Sequence, residues 1–269
     1  MRNRLMRSIV FLAAISVFLS LAAAQGGQRG QRGGGPRANA EPSPPHDARD
    51  LSGIWARRGG FLALSQESPP FTPEGKKRFE ANKPSYGPRA IPPALGNDPM
   101  GNCDPLGIPR LLVLENNPGD FEFIQIPGRV LQIFDRHHVH RIIWTDGRPL
   151  PADPDPRILG WSIGRWEGDT FIVESNGFDE RTWLDHFGNP HSDEMRLEER
   201  YRRLDRDNMQ LTITLTDPKI FARPWVSETK NLRLSPLKDF VDELFCIPSE
   251  EQAFNRRMRN PAAGLSDKD

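Results

Sequence analysis

The chain from residue 120 to residue 234 is a series of short apolar segments separated by turn residues. Because no helical segment of about 10–15 residues separates these segments, the pattern argues against a parallel α/β sheet. Consecutive strands favour a mainly β fold, an antiparallel up-and-down β-barrel, with a β-sandwich as the alternative. Eight strands are predicted, near residues 120–126, 129–135, 138–145, 160–166, 170–175, 193–204, 209–217 and 224–234.

The segment 209–217 shows the clearest alternation. Met209, Leu211, Ile213 and Leu215 share one face, and polar residues occupy the other. Residues two apart on a strand point to the same face of the sheet. This segment is therefore predicted to be a half-buried antiparallel strand.

Two different segments precede these strands. Thr72-Pro73-Glu74 supplies an N-cap and a proline at the first helical position, which predicts a short helix to about Asn82. Prolines then recur every few residues from 83 to 110. Since proline donates no backbone hydrogen bond and fixes φ, we expect this segment to wrap the domain surface or to cover one end of the barrel.

The N-terminus has the three parts of a secretory signal peptide. Arg2, Arg4 and Arg7 precede an apolar run from 9 to 21, and three alanines follow. That run is too short to span a bilayer, so we expect cleavage near Gln25 and an exported, periplasmic or extracellular protein. The mature chain is then expected to have no integral membrane segment; an uncleaved anchor helix is the alternative.

The remaining chain divides by composition. Residues 26–49 are rich in Gly, Pro and Arg and are predicted to be a disordered linker. We expect one β-barrel domain over 50–250 and a C-terminal helix or tail over 251–269.

The charge balance excludes some classes of partner. Of the 36 basic residues, three lie in the signal segment and four in the linker. Of the 36 acidic residues, two lie in the linker. Residues 50–269 therefore carry 29 basic and 34 acidic residues. Such a balance lacks the positive footprint of a nucleic-acid binder or of a protein that binds anionic membranes. A small molecule is the expected partner, and a protein partner stays open.

Cys103 and Cys246 are the only cysteines of the chain. In an oxidising compartment they form a disulfide or stay as two separate buried thiols. A bridge between them would close a loop of roughly 140 residues, which the chain-entropy model values at about 4–5 kcal/mol. No Gly-rich phosphate loop, nucleophile elbow, His-Glu-x-x-His helix or paired-cysteine zinc motif occurs, so no cofactor is predicted.

Two parts of the sequence resemble known families. Gly53-Ile54-Trp55 resembles the Gly-x-Trp signature of lipocalin-like (calycin-type) barrels, in which the tryptophan plugs the closed barrel end beside a basic residue of the last strand. The resemblance implies Arg233 as that partner. The blocks Trp166–Thr170 (WEGDT) and Pro190–Glu194 (PHSDE) are similar to an uncharacterised family of exported bacterial proteins without an established activity. Glu-Gly-Asp within the first block itself predicts a tight hairpin turn.

The connection 176–194 is the most chemically diverse stretch. Asp185 beside His186 can orient an imidazole for acid–base work, and His191 is a second titrating group. These three are the candidate catalytic residues. The alternative is a loop of Asx-turns with solvated charges.

A second cluster is His137-His138-Val139-His140. On a strand His138 and His140 share a face with Ile142 and Trp144, and a third histidine from the 176–194 connection would complete a zinc site. However, if successive turns alternate between the barrel ends, that connection lies opposite the turn at 136. We therefore predict no metal site and retain His140 only as a ligand-binding candidate.

Strand 193–204 places charge on an apolar face. Glu199 and Arg203 share the face of Leu197 and Tyr201, where a lone carboxylate is costly. An internal Glu199–Arg203 or Glu199–histidine pair is one interpretation, and an anchor for a ligand is the other. Trp183 is a candidate for stacking on that ligand or for core packing, and the same two roles stay open for Trp144, Trp161 and Trp225.

Three functions remain open from the sequence. The first is an exported barrel that binds a small, partly polar molecule in its cavity. The second is an extracytoplasmic hydrolase, lyase or isomerase that uses the Asp-His residues of the 176–194 connection. The third is an envelope protein-interaction module; a polar cavity would favour the first two, and a barrel filled with side chains the third.

Overall fold

The structure is a computed structural model that describes residues 45–57, 59, 63–113, 120–135, 138–236 and 246–265. The predicted signal segment 1–25, the predicted linker up to residue 44 and His137 lie outside the described residues. Each of the eight predicted segments contains a strand, and the last contains two. The strands are β1 Gly53–Arg57, β2 Phe121–Ile126, β3 Arg129–Phe134, β4 His140–Trp144, β5 Trp161–Glu167, β6 Thr170–Asn176, β7 Arg196–Arg203, β8 Asn208–Thr216, β9 Trp225–Val226 and β10 Lys230–Leu234.

Within the described residues, nine of these strands close into a barrel. β10 pairs with β8 on one side and with β1 on the other, for example Leu232 with Met209 and Leu234 with Trp55. β9 adds to β8 beside the ring. The barrel prediction is confirmed, and the ninth strand is β1, the segment that carries the Gly-x-Trp signature.

One strand pair departs from the predicted antiparallel order. β4 and β5 are parallel, paired through Ile143 with Ser162 and Trp144 with Ile163. Parallel neighbours need a connection that returns to the starting end, and residues 145–160 supply it. The β3–β4 connection and the 177–195 loop therefore lie at the same end of the barrel, which we call the loop end, and the assumption of alternating turns was wrong.

The helical segments are short and lie, in chain order, between β1 and β2 or after β10. They are α1 Pro73–Ala81, the 3-10 helices Pro93–Leu95 and Pro99–Asn102, α2 Arg110–Val113, and a C-terminal run of α3 Pro248–Phe254, a π-helix Asn255–Arg259 and α4 Asn260–Ala262. The N-cap prediction is confirmed, because Thr72 Oγ1 accepts the Gly75 N–H at 3.0 Å. Among the described residues no helix is both long and apolar enough to cross a membrane.

The proline-rich segment packs against the loop end. Gly107, with φ of 74°, approaches Thr182 so closely that an added Cβ would lie 2.9 Å from its side chain. Cys103, in the same segment, forms a disulfide with Cys246, with Cα atoms 5.4 Å apart. The bridge ties the segment to the chain that leads into α3, so the predicted wrapping and the paired-cysteine alternative are both present.

The opposite end of the barrel, the Trp55 end, is closed by Trp55 and a basic residue. Trp55 is fully buried and its Nε1 donates to the Leu51 carbonyl at 2.8 Å. The Arg203 guanidinium lies 5.4 Å from the centre of the indole and donates to the Asp50 and Arg206 carbonyls. Arg233, the partner that the resemblance implied, is exposed instead, because its neighbours Leu232 and Leu234 take the inward positions of β10.

A charged network fills the barrel interior. Glu199 accepts from Arg141 through two hydrogen bonds of 2.9 and 2.5 Å, and from the Tyr201 hydroxyl at 2.6 Å. Gln132 accepts from Arg141 Nε at 2.7 Å. Burial, together with the Glu199 carboxylate, raises the pKa of Tyr201 well above its usual value, so the hydroxyl stays a donor.

The predicted face of Glu199 was right and its predicted partner was wrong. Glu199 and Arg203 both point inward, but four residues along a strand span about 13 Å, which is too far for an ion pair. The partner is Arg141, across the barrel on β4. A fully hydrogen-bonded buried pair of this kind is costly to break, although replacing both charges is often nearly neutral.

Arg141→Met should leave the Glu199 carboxylate buried without its cation and lower the free energy of unfolding by about 3–5 kcal/mol. Combining it with Glu199→Gln removes both charges and keeps an acceptor for the Tyr201 hydroxyl, so most of the loss should be recovered. Urea unfolding measures both. A loss under about 1 kcal/mol in the single variant would show that the pair does not hold the interior together.

Candidate functional site

The predicted site residues lie in separate parts of the fold. Trp183, Asp185, His186 and His191 belong to the 177–195 loop, whereas Glu199 lies inside the barrel and Arg203 at the Trp55 end. His140 lies at the start of β4 with its side chain exposed. The structure therefore brings only the loop residues into one neighbourhood.

Asp185 organises the backbone of the loop end. The carboxylate accepts the N–H groups of Leu64 at 3.1 Å, Phe187 at 2.9 Å and Asn189 at 3.3 Å, and the Asn189 side-chain amide at 2.6 Å. Burial raises the pKa of Asp185, and these hydrogen bonds oppose the rise. A carboxylate that accepts four N–H groups holds a loop in place.

His186 is buried beside Arg110 of the proline-rich segment. Arg110 donates to His186 Nδ1 at 3.2 Å and forms a two-bond ion pair with Asp98, at 2.9 and 2.7 Å. The Arg110 guanidinium also lies 5.7 Å from the centre of the Trp183 ring. Trp183 is itself buried, and its role as a ligand-binding residue stays a prediction.

His191 is a second buried imidazole. Its Nδ1 lies 3.0 Å from the Ser192 carbonyl and its Nε2 lies 2.8 Å from the Thr182 hydroxyl. Nδ1–H therefore donates to the carbonyl, and Nε2 accepts from threonine. Burial lowers the pKa of His191, which keeps the ring neutral.

These contacts favour structural roles for Asp185, His186 and His191. All three side chains are at most 4 % exposed, and each has polar partners within the protein. Their catalytic assignment stays a prediction. Among the described residues no group of three or more His, Cys, Asp or Glu side chains is arranged to hold a metal ion.

The PHSDE block is part of the same framework. Asp217, after β8, accepts the Ser192 N–H at 2.6 Å and the Ser192 hydroxyl at 2.8 Å. Lys219 pairs with Asp193 at 2.7 Å. This block fastens the long loop to the connection between β8 and β9. The WEGDT block forms the β5–β6 hairpin turn, with Gly168 at φ of 59°, as predicted.

A groove of about 680 Å³ lies on the barrel wall beside β4. Burial alternates along β4, so that Arg141 and Ile143 point inward. His140, Ile142 and Trp144 share one face, as predicted, and that face points outward. We call the cavity the Trp144–Trp161 groove. It is lined by Pro105, His138, Val139, His140, Arg141, Ile142, Trp144, Arg148, Arg157, Ile158, Leu159, Gly160, Trp161 and Ser162.

The parallel pairing creates this groove. β4 and β5 share two paired positions, and the rest of the wall between them is completed by the returning connection 145–160. That connection is fixed to the end of β6, because Arg157 N–H donates to the Gly177 carbonyl at 2.9 Å. Gly160, with φ of 64°, passes the Asn176 carbonyl where an added Cβ would lie 2.8 Å away.

Two tryptophan–arginine stacks form the sides of the groove. The Arg148 guanidinium lies 3.6 Å from the centre of the Trp144 ring, and that of Arg157 lies 3.4 Å from the centre of the Trp161 ring. Asp146 holds Arg148 through bonds of 2.5 to 3.0 Å. Trp161 Nε1 donates to the Asp155 carbonyl at 3.1 Å. Both stacks are therefore ordered before any ligand arrives.

The groove carries positive charge without lining acids. Three arginines and two histidines line it, and no aspartate or glutamate is among the described lining residues. Arg141 is neutralised by Glu199 and Arg148 by Asp146. In the described part of the chain no carboxylate lies within ion-pairing distance of Arg157, so its charge is available to an anion.

Sequence reasoning found His140 and left stacking by Trp144 and Trp161 open, but it missed Arg148 and Arg157. The missing signal was the length of the 145–160 connection. It is too long for a hairpin and long enough for the crossover that parallel strands require. That inference would have placed both arginines beside β4.

The buried His191 makes stability depend on pH. The lowered pKa keeps the His191 imidazole neutral in the folded protein. In the unfolded chain the same imidazole takes up a proton below about pH 6.5. The stabilisation is therefore full above about pH 6.5 and falls below it by up to ~1.4 kcal/mol per pH unit. Urea unfolding at about pH 7.5 and about pH 5.5 should show a smaller fall for His191→Asn than for the parent. Equal falls would contradict this.

Comparison with known proteins adds no relative: no family model, curated protein or solved structure matches this chain. The barrel implied by the Gly-x-Trp resemblance is present, whereas the similarity to exported bacterial proteins stays a prediction.

Proposed function

We propose that the chain is an exported β-barrel protein that binds a small organic anion with a flat apolar body in the Trp144–Trp161 groove. The observation that carries this proposal is the pair of arginine-stacked tryptophans in a groove without acidic lining residues. Indole rings offer flat apolar contact area, and the guanidinium fork matches a carboxylate, sulfonate or phosphate.

Arg157 is the residue on which selectivity for an anion depends most. The other two arginines of the groove already have carboxylate partners. Because Arg157 is held on the Trp161 ring, little side-chain entropy is lost when it meets an anion. His140, exposed at the loop end of the groove, adds a hydrogen-bonding group.

We assign the ligand to the groove on the outer wall of the barrel because side chains occupy the barrel interior. Large buried side chains and the Arg141–Glu199 network lie inside the barrel, where the sequence predicted the ligand. The inward Glu199 and Arg203 are satisfied by protein groups, so ligand binding by either would require their hydrogen bonds to be broken. Their assignment as ligand-binding residues therefore gains no support from these contacts.

The export part of the proposal rests on the N-terminal sequence and the cysteines. The charged, apolar and small-residue parts of a signal peptide precede the barrel. The Cys103–Cys246 disulfide is compatible with an oxidising compartment, where such bonds persist.

A protein-interaction module is the second candidate, favoured by the filled interior. Tyr86 and Leu95 of the proline-rich segment are each more than 40 % exposed. The segment itself is held to the rest of the protein by the Arg110–His186 hydrogen bond and by the disulfide. A partner would therefore meet a preformed surface rather than a flexible tail.

Calorimetric titration tests the groove with two compounds of one shape. The anion 2-naphthoate should bind at least about tenfold more tightly than neutral 2-naphthamide, because only the anion pairs with Arg157. Arg157→Gln should remove that difference, and Trp161→Ala should weaken both compounds. Arg165→Gln, an exposed arginine of β5 outside the groove, is the matched control and should change neither. Equal affinities in the parent protein would refute the proposal.

Fractionation of bacterial cells that express the full chain tests export. The protein should appear outside the cytoplasm with a mass that begins near Gln25 or Gly26. Leu19→Arg interrupts the apolar run and should leave the unprocessed chain inside the cell. An unprocessed parent chain in the cytoplasm would show that the segment is not a signal peptide.

A further inference from the structure

A second cleft, of about 520 Å³, lies at the loop end and shares no lining residue with the Trp144–Trp161 groove. It lies between the segment 63–69, α1, the proline-rich segment, the 177–195 loop and β9. We call it the Phe187 cleft. The residues that matter for its chemistry are Phe79, Tyr86, Arg89, Phe187, Asn189 and Trp225.

The apolar walls of the Phe187 cleft are held in place. Gly87, at φ of 80°, rests on the Phe187 ring so closely that an added Cβ would lie 2.6 Å from it. The Trp225 ring packs on Phe221, with centroids 5.4 Å apart. The Arg89 guanidinium lies 3.6 Å from the centre of the Phe79 ring.

Three polar atoms of this cleft lack partners in the described part of the chain. They are Trp225 Nε1, Asn189 Oδ1 and Arg89 Nε, all buried from solvent. Trp225 is 1 % exposed and Asn189 is 3 % exposed. Buried polar atoms in folded proteins are nearly always hydrogen-bonded. All three side chains line the Phe187 cleft, so a ligand bound there is the group that we assign to the missing bonds.

The orientation of the Asn189 amide is determined by Asp185. Asn189 Nδ2 lies 2.6 Å from Asp185 Oδ2. The carboxylate also accepts the Leu64 and Phe187 N–H groups, so it is an acceptor here and Nδ2 is the donor. Asn189 Oδ1 is consequently the free acceptor, and Asp185 is a positioning residue for the cleft.

We propose that the Phe187 cleft binds an N-acylated amino acid. The indole N–H of Trp225 matches an amide carbonyl of the ligand, and Asn189 Oδ1 matches its amide N–H. Arg89 donates to the Phe187 carbonyl at 3.4 Å and has no carboxylate within ion-pairing distance in the described part of the chain, so its charge matches the ligand carboxylate. The apolar side chain of the ligand lies against the aromatic rings, in a volume typical of small-molecule sites.

N-acetyl-L-phenylalanine is the probe, titrated by calorimetry into the full, disulfide-bonded protein. We expect a Kd below about 1 mM. The N-methylated analogue, which lacks the amide N–H, should bind about tenfold more weakly. Trp225→Phe keeps a ring but removes the indole donor, and Arg89→Met keeps the stem but removes the charge; each should weaken binding about tenfold.

The controls separate the two sites. Arg148→Gln, in the Trp144–Trp161 groove, should leave N-acetyl-L-phenylalanine binding unchanged, and Trp225→Phe should leave 2-naphthoate binding unchanged. Absence of binding to the parent protein, or unchanged affinity in both cleft variants, would overturn the proposal. If circular dichroism shows Trp225→Phe unfolded, Arg89→Met and the N-methylated probe decide. Loss of 2-naphthoate binding alone would count against the groove and not against this cleft.

Discussion

The parallel pairing of β4 with β5 is the constraint on which the rest of the architecture depends. An all-antiparallel ring would alternate its connections between the two ends. A single parallel pair returns the chain to its starting end, so every later connection changes ends. The 177–195 loop is thereby placed at the same end as the β3–β4 connection, where the proline-rich segment covers it. Because β4 and β5 share only two paired positions, the connection 145–160 completes the barrel wall beside them. The Trp144–Trp161 groove lies at this part of the wall.

The two ends of the barrel are closed by different means. At the Trp55 end a single indole and the Arg203 guanidinium fill the opening, and the arginine donates to carbonyls of the turns. At the loop end the cover is irregular chain, whose backbone N–H groups cannot all be paired in strands. Buried side chains take over that role, with Asp185 bonding three backbone N–H groups and Asp217 bonding Ser192.

The local sequence pattern predicted the positions of the strands and the direction of their side chains. It did not predict which side chains of distant strands would meet. Alternation located the strands and placed Glu199 and Arg203 inward, because side-chain direction follows from the strand itself. The partners of these residues depend on register across the barrel, which no local pattern contains. Arg141 rather than Arg203 therefore meets Glu199, and Arg203 rather than Arg233 meets Trp55. The long 145–160 connection was the one readable sign of the crossover.

Residue chemistry alone does not separate a functional site from a buried loop, because both use the same residue types. Histidine and aspartate are versatile hydrogen-bonding groups, and irregular backbone at a barrel end needs such groups in numbers. His191 and Asp185 satisfy that need with every contact that they make. Polar groups that lack a hydrogen-bond or ion-pair partner in the described part of the fold are better indicators of a ligand site. Arg157 in the groove and the indole N–H of Trp225 in the cleft are of this second kind, and they belong to residues without any catalytic motif around them.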